Sequence, residues 1–326
     1  MRTRILQILR QRFGEYISGE ELSQQFGVSR TAIWKHIREL KQAGYDIEAH
    51  SRRGYCLRQA PDLLLPAEIR AGLQTTVFGR ETHYFSVTES TNIAAKRLAA
   101  EGCPEGTIVV AESQQSGRGR LSRGWFSPFG KGIWLSIVLR PPFSPQDAPK
   151  CTLLAAVALN RAIRKVGRIT CGIKWPNDIL YQGKKLVGIL TEMSAEMDAI
   201  NYVVIGAGIN VNVAQNDFPA DLSPIATSVS AAAGQPVDRV ILLCEILHQL
   251  ELSYQTALQQ GFEQILADWR EQSITLGQTV DVFGLNHNFS GIAQDIDGEG
   301  ALLVKTADGI VRVLAGDVSI RPRPAD

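Results

Sequence analysis

Apolar residues recur every third or fourth position through "ISGEELSQQFGVSRTAIWKHIRELKQAGY", a spacing that predicts two helices joined by a tight turn. Ser18 and Glu21 form a capping-box pattern that starts the first helix near Gly19. Leu22 and Phe26 lie one turn apart on its buried face, and Gly27 ends it. Ser29 is placed to cap the second helix, with Val28 and Ile33 at the positions of a hydrophobic staple. Ile33, Ile37 and Leu40 form the inward stripe, which turns Arg30, Thr31, Lys35 and Arg38 outward. The next segment, "DIEAHSRRGYCL", reads as two short strands around Ser51-Arg52-Arg53-Gly54. Helices followed by such a hairpin predict a winged helix-turn-helix over residues 1–60. Pro61 and Pro66 then bracket a short linker, 61–66.

From about Leu65 helical and strand patterns alternate. Residues 92–101, 152–166 and 237–260 carry helical spacing, and 107–112 and 133–140 read as strands. "ITCGIKW" and "KLVGILTEM" are strands on either side of a turn at Gln182-Gly183, and "NYVVIGAGINVNV" is an apolar strand running into glycines. The pattern predicts an α+β domain over 67–275 with a mixed or mostly antiparallel sheet. Residues 276–322 alternate apolar and polar positions in five short runs, with turns at Asp297-Gly298 and Asp308-Gly309. That is the pattern of a small SH3-like β-barrel, placed at 276–326. On its residues alone, this module equally suits a passive cap on the sheet.

Composition adds limits. The chain has 326 residues, 44% hydrophobic and 21% charged, which suits two or three domains with real cores. Five scattered cysteines with no CxxC spacing argue against a disulfide framework or a zinc site and point to a reducing cytoplasm. Charges interrupt every apolar run of "MRTRILQILRQRFGE", unlike a signal peptide. No window approaches a membrane span of ~18 apolar residues. Net charge is +1 but uneven. Residues 1–60 hold 11 Lys/Arg and 6 Asp/Glu (+5), leaving 23 and 27 (−4) for the other 266. A basic module on a mildly acidic body points to an anionic partner for that module. For DNA, Ser29, Arg30, Thr31, Lys35 and Arg38 are the candidates for groove and phosphate contacts, with Arg52 and Arg53 on the backbone from the wing.

One stretch calls for chemistry. "SGRGRLSRGWFSPFGKG", residues 116–132, sets three arginines and five glycines before and around a Trp-Phe pair. It is no P-loop, because five residues separate Gly124 from Gly130 and no Ser or Thr follows Lys131. "GAGINV" lacks the third glycine of a dinucleotide fingerprint. Glycines that let backbone approach an anion, with Arg118, Arg120 and Arg123 as forked donors, make a phosphate clamp. A flexible surface loop has the same composition, so the residues alone leave both readings open.

Five ordered motifs carry a resemblance: "ESTN" at 89–92, "GRGRLSRGW" at 117–125, "KWPND" at 174–178, "GKKLVGIL" at 183–190 and "GAGINVN" at 206–212. Together they resemble the signatures of biotin–protein ligases. With the winged helix in front, essentially the whole chain is similar to the bifunctional type, ligase and biotin-operon repressor. The resemblance implies a class II synthetase-like catalytic fold. It implies that Ser90, Thr91 and Asn92 meet the biotin head group, with Gln114 beside the ureido ring. Arg118, Gly119 and Arg120 match the loop that folds over biotin and its adenylate, and Lys185 the lysine near the biotin carboxylate and α-phosphate. Gly206 and Gly208 match backbone lining the biotin site. Lys174, Asn177 and Asp178 would serve ATP and its Mg²⁺, with Arg123 alongside and Trp125 near the adenine. Arg118, Arg120 and Lys185 would be catalytic, and no dedicated metal site is implied beyond Asp178. Leu121 and Ser122 fill variable positions of the loop.

The implied reaction activates biotin with ATP to biotinyl-5′-AMP and passes biotin to a lysine of a biotin carboxyl carrier protein, part of acetyl-CoA carboxylase, or of other biotin-dependent carboxylases. The adenylate would also promote a homodimer on operator DNA. Three rivals stand beside this reading: a lipoate or octanoate ligase of the same fold, a biotin-sensing repressor without catalysis, and a ligase that has lost DNA binding.

Overall fold

A computed structural model describes residues 1–326 except 43, 61, 197–198, 284–287, 316–318 and 323–326, with backbone alone at 319–322 and without the side chains of 3 and 122. The chain divides into two compact units, Met1–Leu73 and Gln74–Asp326. In the first, helices α1 (Arg2–Gln11), α2 (Gly19–Phe26) and α3 (Arg30–Gln42) precede a hairpin of β1 (Asp46–His50) and β2 (Gly54–Gln59). This is the winged helix-turn-helix the spacing predicts. Ser18 Oγ accepts the Glu21 N–H at 3.0 Å, and Gly27 ends α2 with φ 64°. Only the serine half of the capping box forms as expected, because the Glu21 carboxylate turns to Arg12 Nη1 at 2.7 Å. Ile33, Ile37 and Leu40 enter a core with Ile5, Leu9, Leu22 and Leu57, and Val28 packs against it.

The first unit runs past the expected linker. Leu64 is buried, and helix α4 (Pro66–Gly72) packs on α1. Its Glu68, fully buried, takes the Tyr45 hydroxyl and the Arg10 guanidinium. A carboxylate is costly to bury without partners. These two therefore hold the helix to this unit, beyond the proline-bracketed boundary.

The second unit is built on a seven-stranded sheet of β3 (Thr82–Thr88), β4 (Ile108–Gln114), β5 (Gly132–Leu139), β6 (Gly172–Lys174), β7 (Asp178–Tyr181), β8 (Lys184–Glu196) and β9 (Ala199–Asn210). The strand order is β3-β4-β5-β9-β8-β7-β6, and only the β3–β4 pair is parallel. Helix α5 (Thr91–Ala100) covers one face with Ala94, Ala95 and Ala99 against Val109, Val138 and Val204. The long helices α6 (Ala148–Gly167) and α8 (Arg239–Gln260) pack on each other and contact the sheet, with α7 (Val229–Ala233) and α9 (Glu263–Gln272) beside α6. Thr152 of α6 meets Thr191 of β8 at 2.8 Å, so odd-numbered side chains of this part of β8 face α6 and even-numbered ones the other side. Five more strands, β10 (Thr279–Phe283), β11 (Asn288–Ile296), β12 (Leu302–Thr306), β13 (Gly309–Val313) and β14 (Ser319–Pro322), form an antiparallel sheet in the order β13-β12-β11-β10-β14. It belongs to the same compact unit as the larger sheet. The last four residues of the module expected at 276–326 lie outside the described residues.

A fully buried ion pair fixes both ends of the arginine-rich loop. Arg239 Nη1, in the first turn of α8, donates to Glu112 Oε2 at 2.8 Å and to the Gly132 carbonyl at 3.0 Å. Glu112 lies near the end of β4 and Gly132 opens β5, so the loop between them starts and finishes on one guanidinium. Removing one member strands the other in low dielectric. Arg239→Met should therefore destabilise this unit by about 3–5 kcal/mol, and a second change, Glu112→Leu, should restore much of the loss. Urea unfolding of the two variants measures both.

Candidate functional site

Strands β8 and β9, the turn before β7, the start of α5 and the arginine-rich loop enclose one cavity of about 670 Å³. Its floor is bare because glycines occupy neighbouring strands: Gly188 pairs with Gly208, and Gly206 lies opposite Leu190. A Cβ on Gly206 would lie 2.0 Å from Asn92 Oδ1, and one on Gly208 would lie 2.3 Å from Trp125 Nε1. Neither position accepts a side chain while those neighbours stay in place.

One end of the cavity is a chain of neutral polar groups. Ser90, Thr91 and Asn92 are buried at the start of α5. Ser90 occupies the N-cap position, yet its side chain makes no cap bond. Gln114 Oε1 instead accepts the Thr91 N–H at 2.9 Å and the Thr91 hydroxyl at 3.2 Å. The Gln114 amide donates onward to Ser127 Oγ at 3.0 Å. Ser136 Oγ, on β5, meets Asn92 Oδ1 at 2.6 Å and Thr91 Oγ at 2.8 Å.

The other end is cationic. Arg118, Arg120, Arg123, Lys174 and Lys185 line the cavity with one carboxylate among the described lining residues, Asp178. The loop is closed on itself by backbone bonds, Gly119 N–H to Arg123 O at 2.7 Å and Trp125 N–H to Gly117 O at 2.8 Å, with a bridge between Arg118 and Gly124. Arg120 reaches Asn177 Oδ1 at 3.3 Å and also the Ala315 carbonyl, tying the loop to the turn before β7 and to the C-terminal sheet. Asn177 spends its amide on the Ile189 carbonyl at 2.8 Å, so it holds the cavity wall as well as the arginine. Trp175 Nε1 donates to the Gly300 carbonyl at 3.1 Å, a second tie to that sheet. Lys185 Nζ lies 2.7 Å from Asp178 Oδ1 and 5.1 Å from the centre of the Trp125 ring. Trp125 Nε1 is buried with no hydrogen-bond partner among the described residues.

Every candidate site residue outside the first unit therefore lines this one cavity, from Ser90, Thr91, Asn92 and Gln114 through Arg118, Gly119, Arg120, Arg123 and Trp125 to Lys174, Asn177, Asp178, Lys185, Gly206 and Gly208. Reading the sequence singled out Phe126 but missed the rest of the apolar wall, Phe218, Leu222, Ile225 and Ala226. Phe126 and Phe218 meet with ring centres 6.1 Å apart and planes tilted by 51°. The segment holding Phe218 has no strand or long helix, so periodicity offered no signal. Ser136 was missed for the opposite reason: it lies inside the apolar run of β5. A Mg²⁺ ion usually keeps waters and substrate phosphates among its ligands and needs only one or two carboxylates. Asp178, at the cationic end, fits such a role, and the described residues hold no cluster of three or more metal-binding side chains.

In the first unit, Ser29 Oγ accepts the Ala32 N–H at 3.2 Å. Ser29, Arg30, Thr31, Lys35 and Arg38 are exposed along α3, and Arg52 and Arg53 at the hairpin tip. Arg53 lies over the Tyr16 ring at 3.9 Å. Sequence reading passed over Trp34, which is 50% exposed on the same helix with the Arg38 guanidinium 4.8 Å from its ring.

Three family profiles match the chain: the HTH domain at residues 2–56, the Biotin/lipoate A/B protein ligase family at 84–210, and the Biotin protein ligase C terminal domain at 275–321. The chain is 45% identical over 320 residues, 98% of each chain, to the bifunctional ligase/repressor BirA of Bacillus subtilis. It is 32% identical over 309 residues, 94% of each, to the bifunctional ligase/repressor BirA of Escherichia coli. A biotin protein ligase from Aquifex aeolicus, solved with biotin and ATP, superimposes with a TM-score of 0.65 at 27% identity, covering 75% of this chain and 100% of that one. Similarity of this strength runs through the DNA-binding helices, the cavity and the C-terminal sheet alike, and the chain belongs to the family of bifunctional biotin ligase/repressors.

Proposed function

We propose that this protein activates biotin with ATP to biotinyl-5′-AMP, transfers biotin to a lysine of a biotin carboxyl carrier protein, and represses biotin synthesis as an adenylate-bound homodimer on operator DNA in the cytoplasm. The observation that carries the ligase reading is the polarity of the cavity: neutral hydrogen-bonding groups at one end, five cations against one carboxylate at the other, and a glycine floor between.

In the first step a biotin carboxylate oxygen attacks the α-phosphorus of ATP, and the bond from that phosphorus to the bridging oxygen of pyrophosphate breaks. Two anions must meet. Arg118, Arg120 and Lys185 offset the repulsion and stabilise charge growing on the phosphoryl oxygens. Lys174, Arg123 and Asn177 orient the triphosphate, Trp125 lies near the adenine, and Asp178 would help hold a Mg²⁺ ion, which would supply positive charge against the phosphates. Ser90, Thr91, Asn92 and Gln114 take the head group over Gly206 and Gly208, and Gly119 brings backbone close to the adenylate. The loop and the apolar wall around Phe218 exclude water from the mixed anhydride. In the second step the acceptor lysine amine attacks the anhydride carbonyl, the carbonyl-to-oxygen bond breaks, AMP leaves, and the nitrogen loses its proton. The sheet of β3–β9 corresponds on this reading to a class II synthetase-like core, and the C-terminal strands to an SH3-like barrel. The bonds from Arg120 to Ala315 and from Trp175 to Gly300 support a role for that barrel in holding the ATP end.

For repression, α3 presents Ser29, Arg30, Thr31, Lys35 and Arg38 to the major groove, and Arg52 and Arg53 meet phosphates. Two such units on a two-fold operator need a dimer.

Wild-type protein should release pyrophosphate from ATP only with biotin and not with lipoate, and should label an added carrier domain. Arg120→Ala should slow the release by about 10²-fold. Release without biotin, or with lipoate as efficiently, would overturn the assignment. In gel shifts, biotin with ATP should tighten operator binding by about fivefold or more. Lys35→Ala should weaken it and flatten its dependence on salt. Equal affinity with and without the two substrates would sink the repressor mechanism.

A further inference from the structure

Outside the cavity wall, one carboxylate is bonded to the polar end of the site from behind. Glu192, on β8, lies on the same face as Gly188 and Leu190 and is not among the residues lining the cavity. Its Oε2 accepts the Asn92 amide at 2.9 Å, and its Oε1 meets Lys96 Nζ at 2.5 Å. Asn92 and Lys96 stand four residues apart on α5, so both come to one carboxylate. The same Asn92 amide nitrogen reaches the Leu190 carbonyl at 3.3 Å.

We infer that Glu192 is a positioning residue that sets the direction of the Asn92 amide and, through it, the donor–acceptor pattern offered to the cyclic urea of biotin. An ionised carboxylate only accepts hydrogen bonds. It therefore holds the NH₂ group of Asn92 toward itself and turns Oδ1 to Ser136 and the floor at Gly206. Ser136 has one proton, and Asn92 Oδ1, 2.6 Å away and unable to donate, takes it. At the far end Gln114 donates its NH₂ to Ser127, which leaves Oε1 for the N–H and hydroxyl of Thr91. With its proton on Gln114 and one lone pair turned to Ser136 Oγ 2.8 Å away, Thr91 Oγ keeps a lone pair for a ligand. The result is an end of the cavity rich in acceptors, matched to the two N–H groups of a urea. Without Glu192 the amide is free to turn over, placing its NH₂ against Ser136 and reversing the pattern.

This inference rests on biotin being the substrate, and calorimetric biotin binding together with the kinetics of pyrophosphate release on full-length protein test it. Glu192→Leu should raise the KM and Kd for biotin by about tenfold, the scale of one hydrogen-bonding mismatch at a buried site. The KM for ATP should stay within about twofold, since the ATP end is untouched. Glu192→Gln, which still offers an oxygen to Asn92, should recover most of the affinity. In an Asn92→Leu background, Glu192→Leu should add nothing, because its effect passes through that amide. Equal changes in both KM values, or an undiminished effect without Asn92, would overturn the inference. Wild type that binds biotin yet releases no pyrophosphate would instead sink the ligase reading, while the binding series still decides the role of Glu192. Wild type that binds no biotin would overturn both.

Discussion

Missing side chains on two adjacent strands govern the catalytic half of this molecule. Gly188, Gly206 and Gly208 leave a trough across β8 and β9 into which two larger groups descend, Asn92 from α5 and the Trp125 indole from the arginine-rich loop. A methyl group at Gly206 would force the Asn92 amide to move, and one at Gly208 would force the Trp125 indole to move. The polar chain from Gln114 to Glu192 and the seat of the loop both depend on that trough. So does the separation of a neutral end from a charged end, since Asn92 descends on one side and Trp125 on the other.

The charged end is held together by partners that span the unit. Like charges at close range repel, and five cations on one wall need restraint. Asp178 restrains Lys185, Asn177 receives Arg120, and Arg239 with Glu112 secures the loop's ends from the core. Arg120 and Trp175 extend the same framework to the C-terminal sheet. Loop geometry therefore rests on contacts from β4, α8, the turn before β7 and the C-terminal strands. The buried Trp125 Nε1 has no hydrogen-bond partner among the described residues, so this framework leaves one donor unsatisfied there.

The DNA-binding unit solves a simpler problem. Its apolar stripe is consumed by a core of isoleucines and leucines, and its basic residues are left outside by the period of the helix. Among the described residues of this unit the one buried charge, Glu68, is matched by Tyr45 and Arg10 and fastens α4 to that core. Burial raises the Tyr45 hydroxyl to about 12, so it remains a proton donor to the carboxylate throughout the neutral range.

Local periodicity and turn chemistry were enough to read α2 and α3 of the first unit, the turn at Gln182-Gly183, the glycine-ended strand of 201–213 and the alternating strands of the C-terminal module, because each is specified by residues a few positions apart. Helices α1 and α4 were not read, nor was β7, the strand that enters that turn in place of the expected 169–175. The residues that meet in the cavity were named through the resemblance of five ordered motifs, while composition alone left the arginine-rich loop open between an anion clamp and a solvated surface loop. Contacts between distant segments were not legible. Glu192 looks like any charged residue near a strand end until α5 brings Asn92 and Lys96 to it, a separation of about a hundred positions. The boundary at Leu73, the apolar wall at Phe218, the pairing of Glu112 with Arg239 and the reach of Arg120 to Ala315 are of the same kind. Spacing along the chain encodes which face a residue takes in its own element, whereas the partner waiting on that face is chosen by packing.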